Sequence, residues 1–243
     1  MIIATSTLFS KFTNIKLFLS TKVGGANTPP FYFNMSFNVG DDKERVKQNR
    51  KLFFNSIKID ENNIAFQKQT HSDNVLIINK PGIYSDCDGL LTNKKNIFLS
   101  VSVADCVPIF LYDSENEVVG TVHSGWQGSE KKILSKAIKL LKSNFNTKPE
   151  NIYSFIGFSA GVCCYEIGIE VANKFEEKFL RFNNNKIFLD LKKFNYSLLL
   201  NENIPENNIE VCSLCTICNS NILHSYRRDG QHSGRMIGII GMI

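Results

Sequence analysis

The chain of 243 residues has no run of about 18 apolar residues, so nothing in it reads as a membrane-spanning helix. No basic stretch precedes the apolar residues of its N-terminus, and Lys11 and Lys16 interrupt them. A secretory signal is therefore not expected, and a cytoplasmic location is. Histidine is scarce: His71, His123, His224 and His232 are all there is. So few imidazoles exclude any site that needs many histidine ligands. There is no G-x-G-x-x-G opening a helix and no G-x-x-x-x-G-K-[ST], which removes the main support for dinucleotide and P-loop nucleotide sites. The net charge is only +5, and the lysines are scattered. Without a clustered basic stripe, a nucleic-acid partner is not expected.

What is present describes a soluble globular protein. Hydrophobic residues make up 43% and charged residues 21%, which excludes global disorder. The length suits a single domain over residues 1–243. Lys16 to Ser20 reads as a strand, and the Gly/Pro-rich stretch 24–30 as a loop. Asp41 and Asp42 precede a helix over 43–57, with Val46, Phe53, Phe54 and Ile57 at helical spacing. Val75 to Ile78 and Ile97 to Val103 are apolar enough for the centre of a sheet, and strands are also expected at 109–112, 118–122 and 152–156. Ser129 is the expected N-cap of a helix to about Asn144, with Ile133, Ala137, Ile138 and Leu141 on its buried face. Further helices are expected at 168–182 and 191–200, a short strand at 210–214, and a terminal apolar strand in RMIGIIGMI. Strands and helices mix without strict alternation, so the expected class is α+β, with mixed sheets layered with helices.

Three stretches concentrate reactive side chains at strand ends: Gln69-Thr70-His71-Ser72, Ala104-Asp105-Cys106-Val107-Pro108, and Thr121-Val122-His123-Ser124-Gly125-Trp126. Two imidazoles and a thiolate can make a three-ligand zinc site with an open fourth position, and zinc there would activate water. The same residues also read as a Cys106 nucleophile with His123 or His71 as its base, or as a buried thiol beside ordinary histidines. Residue types alone leave these open.

Other groups are ambiguous in the same way. The even spacing of Cys212, Cys215 and Cys218 matches no standard zinc site, even with His224 as a fourth ligand; these cysteines, like Cys163-Cys164, are read as core residues. Arg227, Arg228 and Arg235 are candidates for binding phosphate or carboxylate, or for salt bridges to Asp229 or another acid. Asp86 and Asp88 suit an acid/base role, the orientation of a ligand histidine, or a turn. Glu166 carries a similar ambiguity. Trp126 suits purine stacking or the core.

Taken in order, STKVGG (20–25), VGDD (39–42), QTHSDNV (69–75), DGLLT (88–92), VADCVPIFLYD (103–113), VHSGWQG (122–128), CCYEIG (163–168), CT (215–216) and SYRRDG…SGR (225–235) form a specific set. The chain resembles the laccase-domain family, once called multicopper polyphenol oxidases. That family was later described as zinc-containing purine nucleoside phosphorylases with adenosine deaminase activity, and some bacterial members as peptidoglycan editing factors. The resemblance spans Ser20 to Arg235 and implies a layered α/β sandwich of mixed sheets. It also implies zinc ligands at His71, Cys106 and His123, which would double as catalytic residues, with copper able to occupy the site in vitro. Two departures stand out. Gln127 replaces a usual arginine, and Phe158 and Val162 replace usual prolines.

The implied activity is phosphorolysis of adenosine, inosine or S-methyl-5′-thioadenosine to base and ribose 1-phosphate, with deamination of adenosine at the same metal. On this resemblance the protein would be a transferase with hydrolase activity whose partners are a small nucleoside and phosphate. The alternative is hydrolysis of a UDP-muramyl amide in peptidoglycan precursors at the same His/Cys/His site. Non-catalytic binding is the third reading. The sequence leaves the oligomeric state open.

Overall fold

A computed structural model describes all 243 residues, Met1–Ile243. Two six-stranded mixed sheets and one small three-stranded sheet carry the architecture. The first sheet runs Ile3–Ala4, Ile15–Ser20, Met236–Met242, Phe98–Val103, Ile64–Lys68, Gly82–Ser85 in spatial order. The second runs Ile209–Val211, Ile152–Ile156, Val107–Asp113, Val118–Ser124, Gly89–Thr92, Val75–Ile77. The layered arrangement of mixed sheets and helices agrees with expectation.

Alternation along single strands explains the layering. In Val107–Asp113 every residue is buried. Ile109 and Leu111 face one core, while Phe110 and Tyr112 face another, because successive side chains of a strand point to opposite sides. Phe110, Tyr112 and Val119 meet Leu17, Leu99, Val101, Met236 and Ile240 of the first sheet, so the two sheets pack face to face. Gly238 makes the approach close enough: a Cβ there would collide with the ring of Phe110. Ile109, Leu111 and Val122 pack instead against Ile133, Leu134, Ala137, Ile138 and Leu141 of the helix Ile133–Phe145, and against Phe194 and Leu198 of the helix Leu191–Asn201. On the far side, Phe53 and Phe54 of the helix Lys43–Ser56 cover Ile64, Phe98, Ile237 and Ile239. The order is helix, sheet, sheet, helix, and no helix is long and apolar enough to cross a membrane.

Several local expectations need correction. Val75–Ile77 is an edge strand, half-exposed, while Phe98–Val103 is internal as expected. Ser129 does not cap the long helix. It lies inside a short helix, Trp126–Glu130, and its hydroxyl pairs with Ser124 and Asn195. Lys132, in the left-handed region at φ 57°, separates that helix from Ile133–Phe145. The expected helix over 168–182 is only Ile169–Ala172, followed by a hairpin of Leu180–Asn183 and Lys186–Leu189. Val171, Phe175 and Phe179 are buried as the spacing suggested, but Asn184 and Asn185 both take positive φ and turn the chain.

Candidate metal centre and cavity

His71 follows the strand Ile64–Lys68, Cys106 precedes Val107–Asp113, and His123 lies within Val118–Ser124. Pro108 pairs with His123 in the ladder between the last two strands, which fixes Cys106 and His123 on adjoining strand ends. The fold closes the long sequence gaps: one ligand-capable atom from each of His71, Cys106 and His123 lies within 4.8 Å of the others. Cys106 Sγ is 3.8 Å from His71 Nε2, and the two imidazole rings meet edge to face at 4.9 Å between centroids. Gly125 faces this cluster. A Cβ there would stand 3.0 Å from Cys106 Sγ and 3.1 Å from the His71 ring.

One buried carboxylate organises both histidines. Asp88 accepts the Nδ1–H of His123 at 2.8 Å, leaving Nε2 for the cluster. It also accepts the backbone N–H groups of Thr70, His71 and Ser72 and the Ser72 hydroxyl. The loop carrying His71 is thus wrapped around Asp88, and His71 itself is held at φ 59°. Asp105, beside Cys106, has φ 93°. Two non-glycine residues at positive φ, both at the cluster, mark a conformation that its surroundings impose.

Electrostatics follow from this geometry. Burial would push the Asp88 carboxyl up, but the hydrogen bond and charge of His123 and the donors of Ser72 hold it well below the usual carboxylate range. Burial also raises the Cys106 thiol, yet the His123 and His71 rings outweigh it and bring it down to about 6. His123 moves oppositely: burial lowers it, Cys106 and Asp88 raise it, and the balance lifts it to about 9. Neutral pH therefore favours a thiolate beside an imidazolium.

All three residues line a cavity of about 1000 Å³. Arg227 and Arg235 line it too. The backbone N–H of Arg227 donates to Asp105 at 2.6 Å, and its guanidinium lies over Tyr165. Arg235 lies over Tyr226. Arg228 does not reach the cavity. Its guanidinium is committed to Asp229 and to the carbonyls of Thr216, Ile217 and Leu223. Asp86 is exposed, Glu166 pairs with Lys186, and Trp126 packs at the edge of the helix-side core. Gln127 is exposed and lines no part of the cavity.

Arg50 is a cavity residue absent from the sequence-based candidates. It lies on the same face of the helix Lys43–Ser56 as Val46, Phe53 and Phe54, and a charge within an apolar stripe was the available signal. Its guanidinium sits 4.4 Å from the Phe37 ring and 4.7 Å from that of Phe66. Gln69 is a second cavity residue without an assigned role in the sequence, and reciprocal hydrogen bonds to the backbone of Ser102 fix it. Away from the cavity, the thiols of Cys163, Cys164, Cys215 and Cys218 gather in one place, contrary to their reading as separate core residues. Cys212 and His224 stand outside that group.

The chain is similar to known proteins over most of its length. The family model for multi-copper polyphenol oxidoreductase laccase matches residues 16–243. A Clostridium acetobutylicum protein named purine nucleoside phosphorylase is 35% identical, covering 95% of this chain and 93% of its own. Purine nucleoside phosphorylase YlmD of Bacillus subtilis is 31% identical, covering 92% and 87%. Among solved structures, Bacillus licheniformis YfiH superposes with a TM-score of 0.91 at 31% identity, covering 97% of this chain and 94% of that one. The chain belongs to the multi-copper polyphenol oxidoreductase laccase family, in the company of relatives named purine nucleoside phosphorylases.

Proposed function

We propose that this protein is a zinc-dependent purine nucleoside phosphorylase whose metal is held by His71, Cys106 and His123. The observation that carries the reading is the convergence of those three side chains on the wall of a cavity that also presents guanidinium groups and aromatic rings. Two imidazoles and a thiolate are a chemically suitable set for zinc, with three protein ligands and a fourth direction facing the cavity. The lowered Cys106 thiol and the Asp88-bound His123 ring fit a cation at this point. Four histidines in the whole chain argue against copper oxidase chemistry despite the family's description. When bound, zinc would supply Lewis acidity towards an oxygen of phosphate, ribose or base.

The protein's own residues account for the remaining requirements. Arg235 and Arg227 offer guanidinium groups to phosphate, while Arg50 lines the wall paired with Glu61. Phe66, Tyr165 and Tyr226 offer ring faces for a purine. Asp88 keeps the His123 and His71 donors oriented without touching substrate. In the reaction a phosphate oxygen forms a bond to ribose C1′ while the bond from C1′ to the purine nitrogen breaks, and the base leaves with a proton. Adenosine, inosine and S-methyl-5′-thioadenosine share the required C1′ linkage, and deamination of adenosine is a second activity at the same centre.

A cavity of about 1000 Å³ lies at the top of the range for small-molecule sites. That size favours, as the second reading, a larger substrate such as a UDP-muramyl amide cleaved at the same three residues. Chromatography of the zinc-loaded protein with adenosine, with and without phosphate, beside Cys106→Ala, separates these. Phosphate-dependent adenine release that disappears in Cys106→Ala is the expected result. Inosine formed without phosphate would show deamination. No turnover of adenosine or inosine by protein with zinc bound would overturn the phosphorylase reading and leave the amide substrate.

A further inference from the structure

Two loops meet beyond one end of the second sheet. One runs from Gly157 to Tyr165 after the strand Ile152–Ile156, and the other from Cys212 to Cys218 after Ile209–Val211. These two strands are parallel neighbours, so their ends deliver both loops to one place. The loops are joined by an isolated bridge between Ser159 and Cys215 and by the N–H of Thr216 donating to Ser159 O at 3.0 Å. At this crossing Cys218 Sγ lies 3.5 Å from Cys163 Sγ and 3.2 Å from Cys164 Sγ. All four Sγ atoms of Cys163, Cys164, Cys215 and Cys218 fall within 4.8 Å of one another, and all four residues are free thiols.

We propose that Cys163, Cys164, Cys215 and Cys218 form a second metal site, a closed tetrathiolate for a single zinc ion with a structural role. A zinc–sulfur bond of about 2.3 Å places tetrahedral sulfurs about 3.8 Å apart, which suits the observed cluster. A bridged iron–sulfur cluster holds more than one metal between its thiolates and needs a wider set. Four sulfur donors favour soft or borderline tetrahedral ions, and four ligands leave no open position for chemistry.

A backbone donor already points at the cluster. The N–H of Gly161 donates to Cys215 Sγ at 3.2 Å. A neutral thiol is a weak acceptor, whereas a metal-bound thiolate accepts such a bond well. Four thiolates around Zn²⁺ leave a net negative charge, and three cations hold the rim. Arg181 donates to Cys163 O, Lys192 to the carbonyls of Cys212 and Leu214, and Arg228 to those of Thr216 and Ile217. This gives Arg228 a place in the molecule that the cavity does not.

The site has a route to the catalytic cavity through covalent neighbours. Thr216, next to Cys215, donates its hydroxyl to Asp105, which adjoins Cys106. Tyr165, next to Cys164, lines the cavity. Closing the four thiols on an ion would clamp both loops and so fix that wall.

The test uses Cys106→Ser, in which the catalytic centre lacks its thiolate, so any thiolate-to-metal band then arises elsewhere. Zinc per chain, free thiols and intact mass are measured on protein purified without chelator, and the cobalt-exchanged protein is examined by absorption. About one zinc per chain is expected, with thiolate-to-cobalt charge transfer and tetrahedral d–d bands of the intensity four thiolates give. The further variant Cys164→Ser/Cys218→Ser in this background is expected to lose that ion. If it does not fold, the cobalt spectrum of Cys106→Ser alone decides. Absence of metal with every thiol free, a mass two units lower from a disulfide, a cobalt spectrum without thiolate bands, or thiolate bands of undiminished intensity in the folded further variant would each overturn the proposal.

Discussion

At the scale of single residues, Asp88 has the widest reach. Its carboxylate holds the His123 ring and the backbone of the loop that carries His71. Replacing it by asparagine would remove the charge and place an N–H₂ against donors. Asp88→Asn is expected to weaken zinc binding by about 10–100-fold, read by competition with a chelator of known affinity. Unchanged affinity would show that the ligands hold their positions without it. His224 offers a test of a different kind. It is buried, its Nε2 has no hydrogen-bond partner, and burial together with Lys22 brings it from 6.5 down to about 3. A native value below the unfolded one means that the folded state binds fewer protons. Its contribution to stability is therefore complete above about pH 6.5 and is lost as pH falls towards 3. Urea denaturation of His224→Leu should accordingly depend less on pH between about 6.5 and 4 than that of the unaltered protein; parallel curves would contradict this.

Elements show how local chemistry is turned into placement. Asp42 caps the helix Lys43–Ser56 by accepting the N–H of Arg45, and that helix brings Arg50 to the cavity. Asp42→Ala should destabilise the protein by about 1 kcal/mol in denaturant titrations. Gly125 is the N-cap of Trp126–Glu130 and stands against Cys106 and His71. An added methyl there has to push one of the two aside, so Gly125→Ala should bind zinc more weakly while unfolding near the same denaturant concentration. Equal affinity would mean that the cluster yields without consequence. This scale is also where the sequence was most and least legible. The helix over 43–57 and the strand over 97–103 were visible because a cap and a long apolar run each point one way. Residues 168–182 misled, because Val171, Phe175 and Phe179 have helical spacing and are buried, yet the helix stops at Ala172. The signal that decides the region is the Asn184-Asn185 turn, whose positive φ angles make a hairpin. Ser129 misled for a related reason: a hydroxyl before an apolar stripe resembles a cap, but here it serves a buried network with Ser124 and Asn195.

For the whole molecule, topology is what makes a site from distant residues. Ladder pairing in the second sheet sets Cys106 beside His123, and the loop wrapped on Asp88 brings His71 to them, within 4.8 Å. Spacing along the chain carries no trace of that closure, so the ligand set was legible only through residue type and family resemblance. Asp88 as the orienting group was legible as one of three roles for a carboxylate, and the structure selects it. The four-cysteine group was not legible, since Cys163-Cys164 and Cys215–Cys218 meet only through parallel pairing of Ile152–Ile156 with Ile209–Val211. Arg227, Arg228 and Arg235 looked alike in sequence, yet the short helix Tyr226–Asp229 sends Arg227 to the cavity and Arg228 into a web of carbonyls.

Everything proposed for catalysis depends on a metal held at His71, Cys106 and His123. The most direct test is the rate of phosphate-dependent adenine release from adenosine by chelator-treated protein as zinc is returned in steps, with bound metal measured in the same samples. Little activity is expected before zinc is added, with recovery in proportion to the metal bound and no recovery in Cys106→Ala. A full rate in protein shown to be free of metal, or full recovery in Cys106→Ala, would contradict a metal-dependent centre at these three residues.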